Sequence, residues 1–454
     1  MFQELNNIGE LYKLFVQFPF VSTDTRNIIP NSLFFCLKGE KFDGNQFVVE
    51  ALEKGARYVV TERRFEMEDL RFEMKDLRKL EPSDIAKSHI AYRIIVVDDV
   101  LETLQQLAAY HRRQLKTPVI GITGSNGKTT TKELIAAVLS KKYKTTFTQG
   151  NLNNHIGVPL TLLSTKKDDE IAVIELGANH TGEIEELCKI AQPDYGIITN
   201  IGKAHLEGFG TIENIIETKT ALYRAAPILF VNAEDELLTH FISRRFQPAE
   251  HIRRDGLFYY GKNTEYNAEI VEMNPCLVIN LFGNKIQTQL PGNYNLPNIL
   301  GATAIGDYFG ISTQDICDAI AEYKPQNQRS QIIKTTNNTI IADYYNANPT
   351  SMQAALNNFI QIETPKRLAI LGDMLELGEN SKIEHKNVVN FCKNNSIETL
   401  FIGSVFHSLK EEHFHFFMNV EECNYYLKSH SIKDSFILIK GSRGIHLEEI
   451  ILSL

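Results

Sequence analysis

Short apolar runs and amphipathic stretches alternate along most of the chain. Near the N-terminus the run SLFFCL is followed by the polar turn KGEKFDGN, the helix-like FVVEALEKGA and the strand-like RYVV, which together predict a small α/β unit. The strand-like RIIVVDD (93–99) and the helical pattern LETLQQLAAYHRRQL close this unit, and Pro118 beside a β-rich run marks a boundary near residue 115. VIGIT (119–123), IAVIEL (171–176), YGIITNI (195–201) and PILFVNA (227–233) are short apolar runs of the kind buried in parallel sheets. After YKPQNQRS the same alternation resumes with TIIADYY, RLAILGD, TLFIGS and FILIKGS, predicting a third α/β domain from about residue 324. The expected division is 1–114, 115–323 and 324–454. One segment stands apart. RFEMEDL (64–70) is followed directly by RFEMKDL (71–77), with Met67, Leu70, Met74 and Leu77 on one helical stripe. Two heptads are too few for a coiled coil, so a surface helix without catalytic role is expected.

Length agrees with this division, since 454 residues at about 150 per domain give three. Hydrophobic residues at 43% and charged residues at 23% exclude wholesale disorder. No apolar run approaches the roughly 18 residues a membrane span needs. Glu4 and Glu10 in the first stretch do not fit a signal peptide. The net charge of -9, without long basic tracts, argues against nucleic acid as a partner. Six scattered cysteines form no CxxC motif, so reduced thiols in a cytoplasmic protein are expected.

The strongest candidate chemistry is GITGSNGKTTTKELIAAVLS (121–140), where a strand runs through a Gly-rich turn into an amphipathic helix. Glycines let backbone N–H groups turn toward phosphate oxygens, the helix N-terminus adds its dipole, Lys128 reaches outer phosphates, and the Thr129 hydroxyl can ligate Mg²⁺. Thr123, Gly124, Ser125, Asn126, Gly127, Lys128, Thr129 and Thr130 are the candidate nucleotide-binding residues. The spacing departs from GxxxxGK[ST], because Ile122 stands where the first glycine would be. A ligand-free turn is the bland alternative, and the strand–helix context weighs against it. Glu175, closing the IAVIEL strand at the sheet edge where ligands bind, is a candidate Mg²⁺ ligand.

Together with this loop, NLNNHIGVPLTLL, ELGANHTGEI, NIGKAHLEGFG, PGNYNLPN, YNANPTSM, LGDMLELG and KGSRG resemble the Mur ligases, ATP-dependent amide-bond formers of cell-wall precursor synthesis. The resemblance covers nearly the whole chain. It implies a uridine-nucleotide domain at 1–114, a central P-loop ATPase domain with a parallel sheet at 115–323, and a Rossmann-like domain receiving the incoming amine at 324–454. Within the family the match is to the member that adds D-alanyl-D-alanine to a UDP-N-acetylmuramoyl-tripeptide, acting as a monomer with ATP and Mg²⁺.

The residues follow from the matching motifs. His205 resembles the ligand of a second metal site, and Lys219 the lysine that CO₂ carbamylates into an anionic ligand. With Thr129 and Glu175 they form the implied metal set. Arg329 resembles the arginine that reaches the γ-phosphate. Asn295 and Asn298 match the adenine-contacting asparagines, with capping of the helix near Leu296 as the structural alternative, and Asp343 can accept a ribose hydroxyl. Ser22, Asp24, Arg26 and Lys38 fall in the uridine-binding motif, and Asn151, Asn153 and Asn154 in the tripeptide-side motif. Asn346 and Asn348 are expected near the incoming amine. Lys440, Ser442 and Arg443 are expected at its carboxylate, with a surface strand–turn as the alternative. Thr25, Asn45 and Tyr294 depart from the family's usual Ser, His and His. A folylpolyglutamate synthetase, and a P-loop ATPase without ligase chemistry, are the rival readings.

Overall fold

In the computed structural model, residues 3–4, 7–40, 42–63, 91–245, 256–326 and 328–454 are described, and they form two compact units. The heptad pair at 64–77 lies outside the described residues. Among those described, no helix is long and apolar enough to cross a membrane.

The first unit comprises residues 1–119, 146–176 and 186–192. Its five-stranded sheet runs Gln3–Glu4, Ile94–Val96, Tyr58–Thr61, Leu33–Phe35, Val21–Ser22, with every pair parallel. Leu33–Phe35 is buried at all three positions, as expected for a strand covered on both faces. The helix Val100–Gln114 begins where Asp99 accepts a 2.7 Å hydrogen bond from the Glu102 N–H. In its last turn the buried Arg112 donates to the carbonyls of Ala191 and Gln192, both at 3.0 Å, satisfying acceptors that a helix end leaves open.

The second unit comprises 120–145, 177–185 and 193–454. Val119–Thr123, Tyr195–Ile198, Ile228–Asn232 and Leu257–Tyr260 pair in parallel in that order. The helix Lys128–Leu139 packs on Leu296–Tyr308, so closely that a Cβ on Gly306 would lie 2.4 Å from Cγ1 of Val138. The next element is an antiparallel sheet, Ala268–Met273, Cys276–Leu281 and Asn284–Pro291, that the apolar pattern does not predict. Its last two strands join through Phe282 (φ 51°) and Gly283 (φ 79°), the positive-φ pair a tight two-residue hairpin requires.

The final sheet orders Gln331–Lys334, Asn338–Asp343, Ser435–Lys440, Arg367–Gly372, Glu398–Ile402 and His415–Phe417. Its first pair is antiparallel and the others are parallel. The chain therefore crosses over Ser435–Lys440 between its second and fourth strands. The carboxyl ends beside such a crossover are where open α/β sheets bind ligands, and Asp343, Asp373 and Lys440 lie there.

Candidate active site

The phosphate loop is a rigid construction. At Gly124 (φ 148°) a Cβ would stand 1.9 Å from Oγ1 of Thr199, and at Gly127 (φ 79°) 2.5 Å from Oδ1 of Asn298. Only glycine fits either position. The Ser125 N–H donates to Asn200 O, the Asn126 N–H to Asn200 Oδ1, and Ser125 Oγ donates to Gly202 O, at 2.9–3.0 Å. Lys128 Nζ folds back on the loop and donates to Gly124 O at 2.8 Å. No side chain caps the helix Lys128–Leu139, so its N-terminal field is directed at whatever enters the loop. Thr129 and Thr130 are buried in its first turn, and the buried Thr123 Oγ1 has no hydrogen-bond partner among the described residues.

Asn295 and Asn298 form a buried ladder instead of an open edge. Thr131 Oγ1 donates to Asn298 Oδ1 (3.1 Å), Asn298 Nδ2 to Asn295 Oδ1 (3.0 Å), and Asn295 Nδ2 to Pro291 O (2.7 Å). Both amides thereby brace the glycine loop. Tyr294, where the family often has His, is half-buried, with its hydroxyl 3.2 Å from Ser330 Oγ.

Lys219 ends the helix Ile212–Lys219 and is 1% exposed. The Phe209 ring lies 5.7 Å from its Nζ, and among the described residues no carboxylate pairs with it. Burial, with repulsion from Lys128 added, pushes its amine well below the ordinary lysine range. His205 occupies the left-handed region (φ 51°), and its Nδ1 lies 2.5 Å from Oε2 of Glu376, itself left-handed (φ 65°). That contact holds the Glu376 carboxyl below its usual range. Lys203 Nζ makes a second tie, to Glu384 (3.1 Å) in the helix Ser381–Asn394. In the first unit Glu175 is 1% exposed; its N–H donates to Thr148 Oγ1, and Asn153 Nδ2 donates to its Oε1 at 2.8 Å.

At the last sheet's ligand edge, Lys440 Nζ pairs with Asp343 Oδ2 at 2.6 Å, opposite each other in the parallel register. The lysine expected at a substrate carboxylate and the aspartate expected at a ribose thus already hold one another. Arg329 lies between Gln328 (φ 60°) and Ser330 (φ 49°), with Cζ 3.7 Å from the Tyr345 ring centre. Arg443 is exposed, 5.6 Å from the same ring. Ser442 Oγ accepts from the Leu375 N–H (2.9 Å). Asn348 caps the helix Pro349–Phe359 in a capping box, and its Nδ2 donates to Asn126 Oδ1 at 2.8 Å, tying that helix to the phosphate loop. Asn346 accepts from the Ala347 N–H.

In the first unit Asp24 caps the turn Thr25–Asn27 and receives Arg26 through Nε and Nη2, which holds the Asp24 carboxyl down at about 2. Ser22 Oγ accepts from the Ile29 N–H, and Lys38 pairs with Glu62. Asn45 accepts from Thr61 Oγ1 and the Glu62 N–H and donates to Asp43, a set of bonds that makes an amide fit there. Asn154 Oδ1 accepts from the N–H groups of Ile156 and Gly157, just before the helix Gly157–Ser164, and Asn151 is exposed.

Sequence reasoning passed over Tyr345, Glu376 and the buried pair Asp373–His385. Their signal was present but unused, namely an aromatic immediately before NANP and the carboxylates of GDMLELGE.

A glycine-walled phosphate loop on a parallel sheet, joined to a second open α/β sheet, defines a P-loop nucleotide-binding α/β protein. The chain belongs to the Mur ligase family. It matches the Mur ligase family catalytic domain over 17–112, the Mur ligase middle domain over 122–306, and the Mur ligase glutamate ligase domain over 328–443. It is 34% identical over 446 residues to the UDP-N-acetylmuramoyl-tripeptide–D-alanyl-D-alanine ligase of Bacillus subtilis (strain 168), covering 95% of this chain and 92% of that one. Among solved structures it is similar to MurF from Acinetobacter baumannii (TM-score 0.82, 30% identity, covering 96% and 92% of the two chains). It is also similar to MurF ligase from Thermotoga maritima in complex with ADP (TM-score 0.78, 26% identity, 95% and 96%).

Proposed function

We propose that the chain joins D-alanyl-D-alanine to UDP-N-acetylmuramoyl-tripeptide, using ATP and releasing ADP and phosphate, to give the UDP-N-acetylmuramoyl-pentapeptide of peptidoglycan precursor synthesis. The observation that carries this reading is 34% identity to such a ligase along 95% of a chain whose phosphate loop is intact. Residues 1–114 hold the UDP-substrate, 115–323 the ATP, and 324–454 the dipeptide. The protein works in the cytoplasm as a monomer.

A carboxylate and an amine do not condense unaided at neutral pH. A tripeptide carboxylate oxygen attacks the γ-phosphorus, ADP leaves, and an acyl phosphate remains. The dipeptide amine then attacks the acyl carbon, a proton is lost from nitrogen, and phosphate departs. Negative charge builds in both steps, so fixed cations and N–H donors supply the rate. Lys128 and the amides of the loop and first helical turn bear on the β- and γ-phosphates, and Arg329 reaches the γ-phosphoryl group. Arg443 and Ser442 are assigned to the dipeptide carboxylate, with Lys440, already paired with Asp343, behind them, and Asn346 and Asn348 to its amine. Asn295 and Asn298, whose amides brace the glycine loop, are assigned to the adenine side, and Asp343, paired with Lys440, to the ribose. In the uridine part the binding residues are Ser22, Asp24, Arg26 and Lys38, and Asn151, Asn153 and Asn154 attend the tripeptide.

Mg²⁺ takes oxygen ligands from the protein together with phosphate oxygens and water, and Thr129, with its hydroxyl buried in the first helical turn beside the phosphate loop, fits such a shared shell. Thr129, Glu175, His205 and Lys219 are the residues that would hold it. Bound there, Mg²⁺ would neutralise phosphate charge and so lower the repulsion met by an approaching carboxylate. Lys219 suits carbamylation because burial, with repulsion from Lys128, shifts its amine toward the uncharged, nucleophilic form. That nitrogen adds to CO₂ and loses a proton, becoming an anion.

The test is ADP release by the purified protein with UDP-tripeptide, dipeptide, both or neither, followed by mass analysis of the product. Release requiring both, with a product heavier by one dipeptide residue pair, is expected. Equal release with neither partner overturns the ligase reading.

A further inference from the structure

Three cations stand at the ligand edge of the last sheet: Lys440, Arg329 and Arg443. Lys440 is neutralised by Asp343. Among the described residues the two arginines have no carboxylate within ion-pair distance, and both approach the ring of Tyr345, at 3.7 Å and 5.6 Å. A guanidinium lying on an aromatic face is held without spending its N–H donors, which remain in plane for an anion. Arg329 Nε is buried and has no hydrogen-bond partner among the described residues. The backbone is arranged for this stack. Gln328 and Ser330 both adopt left-handed φ around Arg329, the Tyr345 N–H donates to Gln328 O (3.3 Å), and the Ser330 N–H to Asp343 Oδ1 (3.1 Å). Left-handed non-glycine residues on both sides of one arginine persist only where surrounding bonds impose them.

We propose that Tyr345 is a positioning residue whose single ring sets both guanidinium groups, the one directed at the γ-phosphate and the one directed at the dipeptide carboxylate. This rests on the ligase reading above and adds the residue that links its two anion sites. The ring does not touch the reacting atoms. It fixes where two positive charges stand, so losing it weakens ATP and dipeptide binding together while leaving the uridine nucleotide end unaffected.

The experiment measures KM for ATP, D-alanyl-D-alanine and UDP-tripeptide in Tyr345→Leu and Tyr345→Phe. Leu is expected to raise the first two by about two- to fivefold each, the scale of an exposed cation–π contact, with the third unchanged. Phe, which keeps the ring, restores both. Arg443→Ala combined with Tyr345→Leu is expected to raise the dipeptide KM by less than the product of the single effects. A rise in only one KM, a rise in all three with a lowered melting temperature, a Phe variant as impaired as Leu, or multiplicative effects in the double variant overturns the proposal. If the unaltered protein releases no ADP in response to the dipeptide, the ligase reading has failed. Titration of Tyr345→Leu with a fluorescent ATP analogue then decides the role of the ring at Arg329, unchanged affinity overturning it.

Discussion

Lys219 and Lys440 are both buried, at 1% and 2% exposure, and differ in everything else. Lys440 finds Asp343 directly across a parallel pair, and Ser330 satisfies the other carboxylate oxygen. Its charge is part of the fold. Lys219 faces a phenylalanine ring and the repulsion of Lys128, and its amine is pushed well below the ordinary range. Removing an ammonium from water without a partner costs several kcal/mol, and a group so placed sheds its proton instead. A buried amine left without a counter-charge is a candidate for chemistry, whereas a paired one can serve structure alone.

The comparison breaks most visibly at Lys219. Lys219→Met is expected to lower ligation by two to three orders of magnitude, the scale of losing one preorganised charge contact in a transition state. Nucleotide affinity should stay within a few-fold, because Lys128 and the glycine loop are untouched. In metal-free buffer depleted of CO₂, the same variant should unfold at a higher urea concentration than the parent. A fully active Lys219→Met protein, by ADP release, would sink the assignment.

Lys440→Met should act in the opposite sense on stability. It leaves Asp343 with one hydrogen bond and no counter-charge, and removing one partner of a buried pair costs about 3–5 kcal/mol. The Asp343 side chain keeps 16% exposure, so about 1–3 kcal/mol is expected from urea unfolding. Asp343→Asn added to Lys440→Met should recover most of that loss. If the double variant is no more stable than the single, the pair is not what holds Lys440.

Much of this fold is legible in the sequence. VIGIT becomes Val119–Thr123, and FILIKGS becomes Ser435–Lys440, because a strand buried on both faces must be apolar at successive positions. The antiparallel sheet escaped that signal. Ala268–Met273 is exposed or half-exposed throughout, so its apolar residues mark no buried face. The phosphate loop could be read because its glycines, lysine and helix start are contiguous. Lys440 could not, because its partner lies 97 residues away and is chosen by strand register. The isolation of Lys219 and the sharing of Tyr345 are likewise products of packing, which no local motif encodes. Asn295 and Asn298 carry both readings at once, since matching a binding motif does not prevent them from bracing Gly127.

The smallest effect expected concerns two buried imidazoles, one in each unit. His111 donates through Nε2 to Thr165 O (2.9 Å) and receives Tyr12 Oη at Nδ1 (3.2 Å). His385 donates through Nδ1 to Ser381 O (2.7 Å) and accepts the Met374 N–H at Nε2 (2.9 Å). Burial lowers both below the free value near 6.5, and the nearby Asp373 only partly opposes this at His385. The unfolded chain therefore binds protons at a pH where the folded chain does not. Stability is fully present above about pH 6.5 and declines as pH falls below it, by at most about 1.4 kcal/mol per unit for each group. The two sites should not tolerate protonation equally. A proton on His111 Nδ1 can be offered to the Tyr12 hydroxyl, which reverses its role and accepts. A proton on His385 Nε2 confronts the backbone N–H of Met374, which cannot reverse, so that bond is lost, and Asp373 Oδ1, 3.5 Å away, offsets only part of the loss. Accordingly, His385→Gln should flatten the fall in urea midpoint between pH 7.5 and 5.5 more than His111→Gln does. Equal flattening by the two variants would mean that burial alone, and not the partner's ability to turn, sets the response.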